Sequence, residues 1–178
     1  GQDGASLGDV HLDHAAATLV TQDGLSALEW CADAGVAMVC AEAVGIMDKT
    51  LSMTAEYLNT RKQFGVPISS FQALRHRLAD MKMQLELARS MSYYATLKVG
   101  SPAQERRQAM ARAKCQLSQS MRYVGQQAIQ LHGGIGVTDE YMVGHCFKRL
   151  TVLEMTWGDG LHHLGQVSSL MQDTAGVF

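Results

Sequence analysis

Gln130-Leu131-His132-Gly133-Gly134-Ile135-Gly136-Val137-Thr138 is the stretch where a long helical pattern stops. Its glycines at 133, 134 and 136 strip the Cβ atoms from a short segment, so backbone N–H groups there can approach a bulky anion. The same glycines would serve equally well as a plain stop between two helices, because glycine is the commonest residue after a helix end. The helical pattern before the loop ends near Leu131, and Thr138 is placed to cap a new helix from Asp139. What lies on either side has to decide between the two readings.

The composition points to an all-α fold. Only Pro67 and Pro102 interrupt a chain rich in Ala, Leu, Met, Gln and Arg. A length of 178 residues fits one domain with a sizeable core. The net charge of −2 gives no electrostatic reason to expect nucleic acid or an anionic membrane as partner. Cys31, Cys40, Cys115 and Cys146 show no CxxC spacing, so they are expected as buried free thiols of a reducing compartment. No apolar run reaches the roughly 20 residues of a membrane span, and the N-terminus lacks the pattern of a signal peptide. A cytoplasmic protein is expected.

Residues 1–24 carry little helical pattern, and Val10 and Leu12 alternate with His11 and Asp13. They are expected to be a strand, tail or linker belonging to an upstream β domain, in a chain that opens without Met as an excised or processed fragment would. Over 25–60 apolar or small residues recur in steps of three and four at Val36, Val39, Ala43, Ile46, Thr50, Met53 and Tyr57, the seam of a bundle helix. Gly65 and Pro67 break it, and Ser69 with Gln72 has the form of a capping box for a second helix to residue 98, with a seam at Phe71, Leu74, Leu78, Met81, Leu85 and Ala88. Ser101, Pro102 and Gln104 form a similar start for a third, whose seam is Met110, Ala113, Leu117, Val124, Ala128 and Leu131. Helices of about thirty residues joined by short loops lie antiparallel, each about 45 Å long. The last arm divides into a helix over 139–149, a bend at Trp157-Gly158-Asp159-Gly160 and a final helix over 161–171. The expected architecture over 25–178 is therefore an antiparallel four-helix bundle with a broken last arm.

Arg61-Lys62-Gln63-Phe64-Gly65 closes the first long helix. A basic pair there complements the helix dipole, which explains the charge but not the aromatic and the glycine. A guanidinium that bonds phosphate in two places, beside an aromatic on a fixed turn, suits the pyrophosphate and flat ring of a dinucleotide. A di-metal bundle would need Glu-x-x-His on two helices, and only Asp159-x-x-His162 approaches that pattern, so no metal is expected. His162 and His163 are expected to face solvent or a partner chain.

Arg61-Lys62-Gln63-Phe64-Gly65-Val66-Pro67-Ile68, Phe71-Gln72-Ala73-Leu74-Arg75-His76 and Ala128-Ile129-Gln130-Leu131-His132-Gly133-Gly134-Ile135-Gly136 together resemble, in order and spacing, the C-terminal helical domain of the acyl-CoA dehydrogenases. The resemblance runs from residue 25 to the end. Phe147-Lys148-Arg149-Leu150, Gly158-Asp159 and His162-His163-Leu164 look most like the small-subunit branch of the pimeloyl-CoA dehydrogenase kind. The resemblance implies an FAD enzyme, of the kind used in fatty acid oxidation, that removes the α proton and β hydride of an acyl-CoA thioester. The product is the 2-enoyl-CoA, and the electrons pass to an electron-transfer flavoprotein. It also implies a dimer or tetramer, homomeric or with a large subunit, that shares FAD across a subunit interface. Arg61 and Gln72 would reach the FAD pyrophosphate region of a neighbouring subunit, Phe64 would pack on the cofactor, and Gln130, Leu131, His132, Gly133 and Gly134 would offer it backbone donors. An N-terminal helical domain and a middle β domain are implied as well, so the isolated chain is expected to be inactive. A non-catalytic partner subunit of a heteromeric dehydrogenase is the alternative.

The base that the resemblance implies has no unambiguous place. Many family members carry a glutamate in Tyr-Glu-Gly before the last helix, where this chain has Trp157-Gly158-Asp159-Gly160. Counting from Gly134 puts Trp157 at the glutamate's place, and counting back from the final helix puts Asp159 there. Asp159 is the best carboxylate available, one methylene short in reach, and is equally well placed to cap the final helix. Other members carry the base on the first helix, where alignment back from Phe64 places Gly35, with Asp33 just before it and Glu42 two turns on.

Overall fold

The computed structural model describes residues 1–175. Residues 1–23 form turns, bends and extended chain, and the strand considered around Val10 is not formed. A strand needs a neighbour for its backbone N–H and C=O groups, and the described residues supply none there. One tether holds the segment: Asp3 accepts a hydrogen bond from Arg149 Nη1 at 2.7 Å.

Helix α1 (Gly24–Thr60) begins where Asp23 Oδ1 accepts from the Ser26 N–H at 3.3 Å. Its fully buried positions include Val36, Cys40, Ala43, Met47, Thr50, Thr54 and Leu58. Of the expected seam, Val36, Val39, Ala43 and Thr50 are buried, while Ile46, Met53 and Tyr57 are only half-buried. The shift follows from packing, because α1 is covered by two other long helices, which broadens its buried face beyond a single seam. Thr50 and Thr54 donate back to the carbonyls of Ile46 and Thr50, both at 2.7 Å, so their hydroxyls enter the core satisfied. Contrary to the sequence expectation, α1 is long and apolar enough by composition to cross a membrane. The bundle buries 44% of that apolar window.

A two-residue hairpin follows, with β1 (Lys62–Gln63) antiparallel to β2 (Val66–Pro67) and Gln63 paired with Val66. After a 3-10 turn at Ile68–Ser70, α2 (Gln72–Lys98) starts from Phe71 without a side-chain cap. The capping box from Ser69 does not form because the 3-10 turn takes up that segment, and the Phe71 N–H bonds the Ile68 carbonyl at 3.1 Å. The box from Ser101 fails for a similar reason: α3 (Ala103–His132) starts one residue later, and Pro102 at its cap carries no hydroxyl.

Helix α3 is the centre of the molecule and packs against all the other α-helices. Met110, Ala113, Leu117, Val124, Ala128 and Leu131, its whole expected seam, are buried. The glycine loop is a 3-10 turn over Gly133–Val137, so α4 (Met142–Met155) begins later than residue 139. Thr138 does not cap it; its hydroxyl donates to Ile135 O at 3.0 Å. Helix α5 (Gly160–Ala175) continues the same arm, and α4 and α5 together pack on α3 as the fourth member of the bundle. The fold is the antiparallel four-helix bundle with a broken last arm. All four thiols are free, but only Cys40 is fully buried; Cys31, expected inside, is exposed. Burial pushes the Cys40 thiol up to about 12.

Candidate functional site

The hairpin brings the end of α1, the start of α2 and the end of α3 to one cleft of about 430 Å³. Of the residues singled out from sequence, Arg61, Gln130, Leu131, His132 and Gly133 line it. Phe64, Gln72 and Gly134 do not, and all three are exposed. Arg61 is the C-cap residue of α1: its N–H bonds the Tyr57 carbonyl at 2.9 Å, and its guanidinium has no partner among the described residues. A second guanidinium, Arg77 of α2, lines the same cleft. It was missed in the sequence, although it sits one helical turn after Ala73, another lining residue.

The glycine loop contributes less by its N–H groups than expected. Gln130, Leu131 and His132 are still in α3, where their N–H groups belong to the helix, and the Gly133 N–H bonds the carbonyls of Gln130 and Ile129. A helix C-terminus offers carbonyls and a partial negative charge, so any phosphate in this cleft depends on Arg61 and Arg77. Gly133 has φ +63, a conformation side chains avoid, and nothing in the chain lies within 4 Å of where a Gly134 Cβ would stand. His132 acts through its ring. Nδ1–H donates to Ala128 O at 2.8 Å, the ring stacks on Tyr57 at 4.6 Å, and Nε2 is buried without a partner. Burial holds its pKa below the ordinary range, which keeps the imidazole neutral near pH 7.

Phe64 lies at the hairpin tip with φ +55, next to Gly65 at φ +81. A two-residue hairpin turn of this type needs positive φ at both central positions. For a bulky residue the conformation costs about 1–2 kcal/mol. The ring is nevertheless 90% exposed and meets only Phe71 edge-on, with centroids 6.1 Å apart. The turn therefore presents an aromatic face outward rather than contributing to the core.

A second cleft, about 290 Å³, lies between α1, α3 and α5, with Val36, Met110, Trp157 and His163 among its lining. Trp157 has φ +60, and its indole lies against Gly35 so closely that a Cβ there would stand 2.6 Å from Nε1 and Cε2. Trp157, one of the two residues that alignment leaves for the glutamate, thus meets Gly35, the first-helix position, and neither of these carries a carboxylate. Asp159 is exposed, and its Oδ1 accepts from the His162 N–H at 2.8 Å, capping α5. Asp33 is buried in an ion pair with Arg106 Nε at 2.7 Å. Glu42 is held in two places by Arg149, at 2.7 and 3.0 Å. His163, expected at the surface, is only 4% exposed, and its Nε2–H donates to the Trp157 carbonyl at 2.9 Å. Burial, with smaller contributions from the charges of Lys114 and His162, lowers its pKa.

Beneath this turn is a residue that sequence reading passed over. Lys114 is fully buried, and its Nζ lies 2.8 to 3.0 Å from the carbonyls of Leu153, Glu154, Thr156 and Gly158. Burial lowers its pKa, while Cys40, Glu154 and Asp159 act in the opposite direction. Among the described residues no group of three His, Cys, Asp or Glu side chains is placed to hold a metal ion.

Residues 22–169 match the family model for the acyl-CoA dehydrogenase C-terminal domain. The chain belongs to the acyl-CoA dehydrogenase family. It is 39% identical over 128 residues to the probable acyl-CoA dehydrogenase YngJ of Bacillus subtilis, covering 72% of this chain and 33% of that protein. Butyryl-CoA dehydrogenase of Megasphaera elsdenii superposes with a TM-score of 0.76 at 32% identity, over 83% of this chain and 38% of that one. The ChsE4-ChsE5 complex of Mycobacterium tuberculosis gives 0.76 at 28% identity, over 86% and 41%. The chain spans about a third of the length of the curated relatives it matches.

Proposed function

We propose that this chain is the helical domain with which a flavin-dependent acyl-CoA dehydrogenase holds FAD and assembles its subunits, in an enzyme that converts an acyl-CoA thioester to the 2-enoyl-CoA. The observation that carries the reading is the cleft lined by Arg61 and Arg77, near the ends of different helices and without acidic partners among the described residues, together with the end of α3. Two guanidinium groups suit a pyrophosphate, and the carbonyls at a helix C-terminus accept hydrogen bonds from hydroxyl and amino groups of a nucleotide. Phe64 and Gln72 lie outside this cleft, and we assign them to the cofactor of a neighbouring subunit, which fits the outward turn that exposes the Phe64 ring. Gly134, with open space around it, is assigned to close approach of that cofactor.

Bound FAD supplies the acceptor for the hydride that leaves the β carbon. The chain itself supplies fixed positive charge, an aromatic wall of Tyr57 and His132, and the turn at 157–159. In this reading Asp159 takes the α proton, since Asp33 and Glu42 are engaged by arginines. Electrons pass on to an electron-transfer flavoprotein, and the protein works in the cytoplasm as a dimer or tetramer. A second reading, a non-catalytic partner subunit of a heteromeric dehydrogenase, is favoured by the indole of Trp157 filling the space at Gly35 and by the cap that Asp159 makes. The kinship with the ChsE4-ChsE5 complex fits such pairing.

The test is anaerobic addition of a panel of acyl-CoAs to the full-length protein, alone and with its candidate partner subunit. Flavin bleaching by the protein alone supports the first reading. Bleaching only with the partner supports the second, and a colourless protein that takes up no flavin in either form refutes both.

A further inference from the structure

Position 114 lies in the seam of α3, between Ala113 and Leu117, where an apolar side chain would be expected. A lysine survives full burial only where its hydrogens are met. Its ammonium has three N–H bonds and here meets four carbonyl oxygens at 3.0 Å or less, all from the end of α4 and the turn behind it. Leu153 and Glu154 contribute carbonyls of the last helical turn, at the negative end of the dipole, and the Leu153 carbonyl also accepts from the Thr156 N–H at 3.3 Å. Thr156 and Gly158 contribute theirs from the two sides of Trp157. The Trp157 carbonyl is taken by His163.

These bonds fix the direction of a backbone that would not hold it unaided. Trp157 at φ +60 and Gly158 at φ +96 are both left-handed, a strained state for the tryptophan, and such strain persists only where the surroundings over-determine it. The consequence is the indole position, half-exposed in the α1–α3–α5 cleft and in contact with Gly35 through its Nε1–Cε2–Cζ2 edge.

We propose that Lys114 is the positioning residue of this cleft: its ammonium gathers the carbonyls on both sides of Trp157 and so holds the indole against Gly35, where the acyl-CoA is handled. The last clause rests on the proposed dehydrogenase reading; the positioning role itself does not.

The experiment is fluorine NMR of the full-length protein labelled with fluorotryptophan, the two relevant signals being assigned by Trp30→Phe and Trp157→Phe. Lys114→Met, which keeps the stem and removes every donor, is expected to move the Trp157 signal toward its denatured position while the Trp30 signal stays native. Lys114→Gln, which retains two donors, is expected to give an intermediate shift and covers the event that the methionine variant fails to fold. An unchanged Trp157 signal in either folded variant overturns the proposal. So does joint collapse of both signals in both variants, which would make Lys114 a support of the whole bundle and not of the turn. Butyryl-CoA added to the unsubstituted protein is expected to shift the Trp157 signal and leave Trp30 alone. If Lys114→Gln moves Trp157 but butyryl-CoA does not, the positioning role stands and the substrate reading of the cleft falls.

Discussion

Gly35→Ala should destabilise this chain even though alanine is the better helix former, and the reason is one side chain. The new Cβ would lie 2.6 Å from Nε1 and Cε2 of Trp157 and 3.0 Å from Cζ2. That is about 1 Å inside the roughly 3.5–4.0 Å at which nonbonded carbons rest. The backbone of the turn cannot simply shift away, because its carbonyls are fixed by Lys114 and His163, so relief requires the indole to leave its rotamer. Overpacking of this kind costs about 1–3 kcal/mol. Replacing a helix-interior glycine by alanine returns about 0.5–1 kcal/mol, so the net loss is expected at up to about 2.5 kcal/mol. In a Trp157→Ala background the obstruction is gone, and Gly35→Ala should then stabilise by about 0.5–1 kcal/mol. Urea unfolding of the four proteins, followed by far-UV circular dichroism because a tryptophan is removed, measures the cycle. Equal effects of Gly35→Ala in both backgrounds, within about 0.5 kcal/mol, would refute the contact as the reason for the glycine.

Asp159→Asn in the full-length protein keeps most of the capping ability while removing the carboxylate; if Asp159 is the base, flavin reduction should slow by about a hundred- to ten-thousandfold with FAD retained. Near-normal turnover would assign Asp159 to the α5 cap alone. Asp33→Asn leaves Arg106 buried without its counter-charge and is expected to cost about 3–5 kcal/mol in urea unfolding, as breaking a buried pair does. His132 and His163 both have folded pKa values lowered from 6.5, so their neutral forms favour the folded state. That contribution is complete above pH 6.5 and is lost as the pH falls from 6.5 toward the folded values, because the unfolded chain then binds protons that the fold does not. The urea midpoint should therefore fall between about pH 7 and 5, and His132→Phe, which keeps a ring against Tyr57, should flatten part of that slope.

The parts of the fold that could be read from the sequence are those set by local pattern. The α3 seam was legible because four helices pack on α3 and leave a polar stripe through Arg112, Gln119 and Gln126 exposed, so the apolar period along it ends up inside. The α1 seam was legible only in part, since two neighbouring helices bury a face wider than a three-four alternation marks, and Met47, Thr54 and Leu58 take places assigned to Ile46, Met53 and Tyr57. The capping boxes failed for a local reason, a 3-10 turn ahead of α2 and a proline at the cap of α3. At the site, the Arg61 and Gln130–Gly133 motifs were visible as segments, and the hairpin brought them to one cleft. Lys114 was not visible, because its acceptors lie 39 to 44 residues away and look in sequence like any helix end. The contact of Trp157 with Gly35 spans α1 and the α4–α5 turn, and only the packed bundle reveals it.

In the proposed function this domain holds FAD through the guanidinium groups of the α1–α2–α3 cleft. The direct measurement is the flavin-to-protein ratio, by absorbance, of the full-length protein carrying Arg61→Ala, Arg77→Ala or both, purified alongside the unsubstituted form. Each charge-assisted bond to phosphate is worth about 1.5–3 kcal/mol, so each single change should weaken FAD about ten- to hundredfold and the pair should give a protein nearly free of flavin with its helical content intact. Full flavin occupancy in the double variant would contradict the account.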